Sequence, residues 1–399
     1  MKSINRYRIT TALFLGVLGY VPLWAQNIDF TPDRPDGPAK IQSALWELAI
    51  PGAAKPTRDL QDTVVVILVP HPGQASASID TSSLAALGGR VLAQSKSLMR
   101  VAVPPSSLVA VSELPGVRFV RRPYRPHSRA TTSEGASRIG ALANHSAGVR
   151  GQGVKVGIID SGFKGANELS GDMPARSRLR GHDFTGEGLY AEEGIHGTAC
   201  AEIVHDVAPE AELYLYKTGD MVDLENAKDH AIRDGIDVIS HSEGFLIDGF
   251  GDGRGFSCNV VNDAADNGIL WVVAAGNSGK QHYSGLWSDK NSNDWHSFVT
   301  GEERLTFKAE EGAAIRVHLV WDDWPITYQN YDLYLYFRNS SGDWEEVAKS
   351  TDIQDSGGDP VERIGDYTAK ESGIYGIAVS SLDAQPKRMR VWSTHDFIN

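Results

Sequence analysis

The sequence predicts an α/β protein: a parallel, doubly wound sheet preceded by a small α+β unit and followed or interrupted by an all-β sandwich. Three observations carry this reading. Residues 154–162, VKVGIIDSG, are apolar almost throughout and end in an acid, the pattern of a strand covered on both faces, with Asp160 emerging at its carboxyl end. From Gly151 onward strand-like and helix-like stretches alternate: VKVGIID, a helix after His196, ELYLYK, DLENAKDHAIRDG, DVIS, NVVNDAADNG and ILWVVAAG. After Gly285 the helical period disappears, and residues 295–396 read as short strands separated by Gly, Asn and Asp turns.

Taken in order, the amino terminus MKSINRYRITTALFLGVLGYVPLWAQ begins basic at Lys2, Arg6 and Arg8 and turns apolar. It then reaches a small residue, Ala25, so residues 1–25 read as a secretory signal. The rival reading, a membrane anchor, is weakened because the apolar run is about 15 residues where a bilayer crossing needs ~20. Export implies a secreted, periplasmic or extracellular protein with no stable membrane span after signal removal. A disulfide is permitted there, but Cys200 and Cys258 are too few for a disulfide framework, and their pairing is not readable from sequence.

Residues 64–125 give strand, helix and strand signals beginning with TVVVILVP, the organisation of a small α+β unit. The stretch RPHSRATTSEGASR that follows is rich in Ser, Thr, Gly and Arg and reads as an exposed, protease-accessible linker. Residues 146–290 hold the parallel alternation, and Leu224, Ala227, Ala231 and Ile232 share one face of a helix lying on that sheet. The sandwich strands are RLTFKA, AIRVHLVW, YDLYLYF, WEEVAKS, GIYGIAVS and RMRVWS. The 399 residues are 41% hydrophobic, enough for two or three real cores. Their net charge of −13 (38 basic against 51 acidic) comes without a basic run, so nucleic acid is excluded as a partner.

Three local signatures place reactive groups at strand ends or helix starts: Asp160, the His196 segment GIHGTACAEIVHDVAP, and VVAAGNSG, read as a buried strand ending in Gly276 and Asn277. Ligands gather at that edge of an open α/β sheet. An acid that orients an imidazole, with an amide to stabilise an oxyanion, makes most of a nucleophilic hydrolase site. Asp160 would fix the His196 tautomer, and the Asn277 amide would donate to the tetrahedral oxyanion, an interaction worth about 3 kcal/mol in such sites.

The combination resembles the subtilases, the subtilisin-like serine proteases. The likeness lies in GQGVKVGIIDSG, HGTACAEIVHDVAPEAELYLYK, GIDVISHSEG and VVAAGNSG, in the family's order. It implies a serine endopeptidase acting on protein or peptide substrates through an Asp-His-Ser triad. Ser242, Glu243 and Gly244 would form the edge segment that pairs with the substrate backbone. Glu243 would either favour a basic residue before the scissile bond or be a solvated loop acid. By the same resemblance residues 64–125 look like the family's inhibitory propeptide, with the linker cut on maturation.

The sandwich looks like domains appended to or inserted in exported peptidases. No cofactor is needed for the chemistry; structural calcium at Asp323 and Asp332 is one reading of those acids, turn-forming roles the other.

The family's nucleophile lies in a GTS-type motif, and none occurs in these residues. Either the sheet is incomplete here, its serine coming after Asn399, or the chain is an inactive relative. The chain as given is expected to be inactive alone. Three rival readings compete with this one. A dinucleotide fingerprint fails because the glycines of GQG precede the strand instead of following it. A metal site at His196, Cys200, His205 and Asp206 lacks a recognisable ligand spacing, and Cys200 reads as a small apolar residue, so no metal site is expected. A non-catalytic exported binding protein stays open.

Overall fold

The computed structural model describes residues 39–49, 63–123, 135–169, 173–191, 194–298, 301–354, 357–381 and 384–398. The expected signal and most of the linker lie outside them. Among the described residues, no helix is long and apolar enough to cross a membrane.

The first layer is an antiparallel sheet of β1 (Val64–Pro70), β2 (Arg90–Gln94), β3 (Met99–Val103) and β4 (Val117–Arg121), ordered β2-β3-β1-β4. Short helices α1 (Trp46–Ala49), α2 (Thr81–Ala86) and α3 (Leu108–Ser112) accompany it. Asp80 starts α2 by accepting the Ser82 N–H at 2.9 Å. The period of two sorts β1: Val66 and Leu68 enter a core with Leu84, Val101 and Val111, whereas Ile67 and Val69 face the opposite way.

After α4 (Gly135–Arg138) and α5 (Ala141–Ser146) comes a five-stranded parallel sheet. Its strands are β5 (Lys155–Asp160), β6 (Leu179–Asp183), β7 (Glu212–Lys217), β8 (Val238–His241) and β9 (Leu270–Val273), ordered β6-β7-β5-β8-β9. Helices α6 (His196–Val207), α7 (Met221–Asp234) and α8 (Phe256–Asp266) cover it from two sides. Cys200 and Ala201 of α6 pack on Val156, Ile158, Leu213 and Leu215. Leu224, Ala227 and Ala231 of α7 pack with Val260 and Ala264 of α8 on Ile159, Tyr214, Tyr216 and Ile239. Strand β5 therefore sits centrally between β7 and β8, where the winding reverses, and its carboxyl end opens the crevice such sheets use for ligands.

The expectation that ILWVVAAG is a buried strand is corrected: Leu270, Val272 and Val273 of β9 are 62%, 52% and 56% exposed. β9 is the last strand of the sheet, and Trp271 is the residue that packs toward the α8 cluster.

Two antiparallel sheets follow. Their strands are β10 (His282–Leu286), β11 (Leu305–Ala309), β12 (Ala314–Trp321), β13 (Asp332–Arg338), β14 (Trp344–Ser350), β15 (Val361–Thr368), β16 (Gly373–Ser380) and β17 (Arg388–Ser393). The orders are β10-β17-β12-β15 and β11-β16-β13-β14, around a core that includes Phe307, Leu319, Trp321, Leu333, Tyr375 and Val391. Two strands escaped sequence reading. HYSGL and VERIGDYT carry too few apolar residues in alternation to stand out, yet β10 completes a sheet edge ahead of residue 295 and β15 pairs with β12.

The first layer packs against the rest through Ile67, Val69, Leu98 and Phe119, which meet Met221 and Val222 of α7, Ile247, Phe250, and Val320, Trp324 and Val361. Arg100 Nη1 donates to Asp220 at 2.9 Å and to Asp223 at 3.0 Å, and the Ser97 hydroxyl donates to Glu225 at 2.8 Å. Burial and then Asp220 push the Asp223 carboxyl up to about 6, with Arg100 pulling it back.

A second acidic group lies inside the double sheet. Glu362 Oε1 accepts from the Asp352 N–H at 2.8 Å and from Gln354 Nε2 at 2.7 Å, and Oε2 accepts from the Ser350 hydroxyl. Burial pushes Asp332 up to about 7 and Asp352 up to about 6, and burial with these two neighbours holds Glu362 well above the carboxylate range. Each acid titrates higher folded than unfolded, so its stabilising contribution is complete below the unfolded value near pH 4 and is lost as pH rises through its folded value, about 7 for Asp332 and about 6 for Asp352.

Glu362→Gln keeps the Oε1 acceptor and removes the charge. It is expected to raise stability at pH 8 by about 1–2 kcal/mol and to leave it nearly unchanged at pH 5. His241 and His296, depressed by burial to about 4, act in the opposite sense as pH falls below 6.5. The quantity to read is therefore the difference in thermal midpoint between variant and parent at each pH. Equal loss at both pH values would refute the assignment.

Candidate active site

Strand β5 delivers Asp160 to the carboxyl edge with its side chain fully buried. The DSG turn that follows aims backbone donors back at it: the Ser161 N–H reaches Asp160 Oδ1 at 2.9 Å, and Gly162 and Gly197 N–H groups also bond the carboxylate. Gly197 belongs to the first turn of α6, where helical N–H groups lack intrahelical partners and the macrodipole favours an anion. The loop after β5 is stitched to the helix start by Gly197 N–H to Gly162 O at 2.9 Å and by the Thr198 hydroxyl to Lys164 O at 2.8 Å.

His196 is the first residue of α6, and its Nδ1 donates to Asp160 Oδ2 at 2.6 Å. Burial disfavours charge on both partners. It pushes the Asp160 carboxyl up to about 7 against the pull of three backbone N–H groups, and it lowers the His196 imidazole against the pull of Glu243. Above about pH 7 the pair is thus a carboxylate holding the Nδ1 proton of a neutral imidazole, with Nε2 as the base. The imidazole is 11% exposed and so still meets solvent.

Glu243 follows β8 and differs from its reading as a solvated loop acid. It is 1% exposed, and its Oε1 accepts the Ser161 N–H at 3.0 Å, beside the turn that holds Asp160. Ser242 and Gly244 flank it, half-buried. Asn277 lies in the exposed segment after β9, on the same carboxyl edge as Asp160 but two strands away in the order β5-β8-β9. Gly276 before it has φ +98°, a left-handed conformation suited to glycine. Sequence reading overlooked the Ser161 and Gly162 donors, although the string DSG directly after a strand was their signal.

Cys200 and Cys258 are not joined in a disulfide. Cys200 packs in the α6 core with its sulfur 3.9 Å from His196 Nδ1. Among the described residues two groups of donor atoms converge within 4.8 Å: Asp160, His196 and Cys200, and His182, His230 and Asp234. The first differs from the set weighed in sequence, because Asp160 stands in place of His205 and Asp206. Neither group contains Asp323 or Asp332. Asp323 is engaged by Lys387 Nζ at 2.8 Å and by the Thr327 hydroxyl at 2.8 Å.

Comparison with known proteins matches residues 151–358 to the model of the subtilase family. Subtilisin E of Bacillus subtilis (strain 168) is 32% identical over 213 residues, 48% of this chain and 53% of that protein. The minor extracellular protease Epr of the same organism is 28% identical over 190 residues, 41% of this chain and 27% of Epr. A thermostable alkaline protease of Halalkalibacterium halodurans is 28% identical over 187 residues, 43% of this chain and 50% of that protein. The chain spans about half the length, or less, of these relatives. The matched segment begins at the glycine preceding β5 and takes in the acid, the imidazole and their helix, and by this match over more than half of its residues the chain belongs to the subtilase family.

Proposed function

We propose that the full-length protein is an exported, subtilisin-like serine endopeptidase. The observation that carries the reading is the 2.6 Å hydrogen bond between Asp160 and His196 at the central strand's carboxyl end, within the family-matched segment. His196 Nε2 takes the proton as a serine Oγ bonds to the scissile carbonyl carbon, and the Asn277 amide donates to the resulting oxyanion. Collapse of that intermediate breaks the C–N bond, and the imidazolium returns its proton to the departing amine. Water then releases the acyl group by the same steps in reverse order.

No GTS-type motif occurs in these 399 residues, so the reading assigns the serine to sequence outside them, with the double sheet inserted before it. Ser242, Glu243 and Gly244 receive the substrate backbone. Residues 64–125 serve as the inhibitory prosegment, supported by the grip of Arg100 and Ser97 on α7. Structural calcium stays attached to the double sheet as part of the same proposal. The missing motif favours a second reading, a non-catalytic exported binding protein that keeps the acid–imidazole pair as a relic.

A fluorophosphonate, which phosphonylates an activated serine as its Oγ–P bond forms and fluoride leaves, separates the two. The expected result is stoichiometric labelling of one serine in the full-length product, blocked by protein substrate. Absence of labelling in folded, processed protein would favour the binding protein.

A further inference from the structure

The second convergent donor group belongs to none of the machinery described above. His182 lies on β6, the outer strand of the parallel sheet, and His230 and Asp234 stand four residues apart on α7, one above the other on a single helical face. The strand and helix bring His182 Nε2 to 3.3 Å from Asp234 Oδ2, and the two imidazole ring centres lie 4.7 Å apart. One donor atom from each of the three residues falls within 4.8 Å of the others.

We propose that His182, His230 and Asp234 bind a first-row divalent transition-metal ion of the borderline class to which Zn²⁺ belongs. Two imidazoles and one carboxylate match that class rather than Ca²⁺ or Mg²⁺, which take oxygen ligands. In a tetrahedral zinc shell, ligand atoms about 2.0–2.1 Å from the ion lie about 3.3 Å from each other, so the His182–Asp234 separation already has the required edge length.

The surroundings hold these donors in place. Tyr216 OH donates to Asp234 Oδ2 at 2.7 Å, the kind of outer hydrogen bond that orients a ligating carboxylate. The His182 ring stacks on Tyr216 with an interplanar angle of 11°, and Phe184 meets His230 edge-on at 5.0 Å. With His182 and Asp234 side chains 36% and 25% exposed, the group is open to entering ions and to water completing the shell. It lies on the α7 face of the sheet, whereas His196 enters from α6 on the other face, so the two sites are separable by mutation.

The test is titration of the chelator-stripped, desalted full chain with Zn²⁺ by calorimetry and with Co²⁺ by visible absorption. One equivalent is expected to bind with micromolar or tighter affinity, with an intense tetrahedral Co²⁺ spectrum. His230→Asn and His182→Asn should each weaken binding at least tenfold. Tyr216→Phe, which keeps the packing, should weaken it by about 10-fold or more. His196→Asn should leave it unchanged.

Binding that survives both α7-face histidine variants, or that is lost with His196→Asn instead, overturns the proposal. So does the weak octahedral spectrum of hydrated Co²⁺ in the unmodified chain, a reading that needs no variant to fold.

Discussion

Replacing His196 by Ala in the full-length product is expected to lower kcat for peptide hydrolysis by about 10⁶-fold, the size that removal of the triad imidazole has in subtilisin. In the proposed triad the loss is near total because Asp160 would reach the serine only through His196. Its carboxylate is fully buried, held by three backbone N–H groups, and its outward bond runs to His196 Nδ1. Without the imidazole, no base on that path takes the serine proton. The parent should also lose rate as pH falls below about 7, where the pair gains a proton. Steady-state hydrolysis of a chromogenic peptide across pH 5–9 reads both effects. Unchanged proteolysis by folded His196→Ala protein would exclude the triad.

Gly197→Ala is expected to cost about 10²-fold in kcat/KM and about 1–3 kcal/mol of stability. A Cβ at Gly197 would meet Gly162 O at 2.6 Å, Asp160 Cβ at 2.7 Å and the Phe163 ring at 2.7 Å. Two of those contacts are with the main chain and the root of the acid, neither able to swing aside. The first turn of α6 must therefore retreat from β5, lengthening the Asp160–His196 hydrogen bond while leaving both side chains chemically intact. A lowered thermal midpoint together with a weakened low-field Nδ1 proton resonance in the NMR spectrum would show that retreat. Full activity in the variant would mean that the close approach of helix and strand is unimportant.

How much of this was legible in the residues depends on how far apart the partners lie along the chain. Asp160 at a strand end and His196 at a helix start were readable because each sits in its own short run of apolar and glycine residues, and the parallel sheet brings such ends to one edge. Of the two readings of Glu243 the solvated one fails, because a loop acid has no periodicity to reveal that it turns inward toward Ser161. Residues 270–273 read as fully covered because continuous apolar sequence states what a strand tolerates on each face, not what lies against it; here β9 ends the sheet. Strands β10 and β15 lacked alternation and were recognisable only through their partners β17 and β12. His182 meets His230 and Asp234 solely through the packing of α7 on the outer strand, a pairing no local spacing announces.

The joint between the first antiparallel sheet and α7 has a consequence for processing. Arg100, Ser97 and the apolar patch of Ile67, Val69 and Phe119 meet their partners on α7 and beyond it through residues of the first sheet itself. If the prosegment proposed above is cut in the stretch 124–134, connectivity would change while the contacts of Arg100, Ser97 and the apolar patch need not. The fragments then form a bimolecular complex. Departure of the smaller one would follow an off-rate little changed by ionic strength, because the Arg100–carboxylate pairs are buried and poorly screened, and its return would be second order, so dilution rather than cutting would set how much of the larger fragment stands bare.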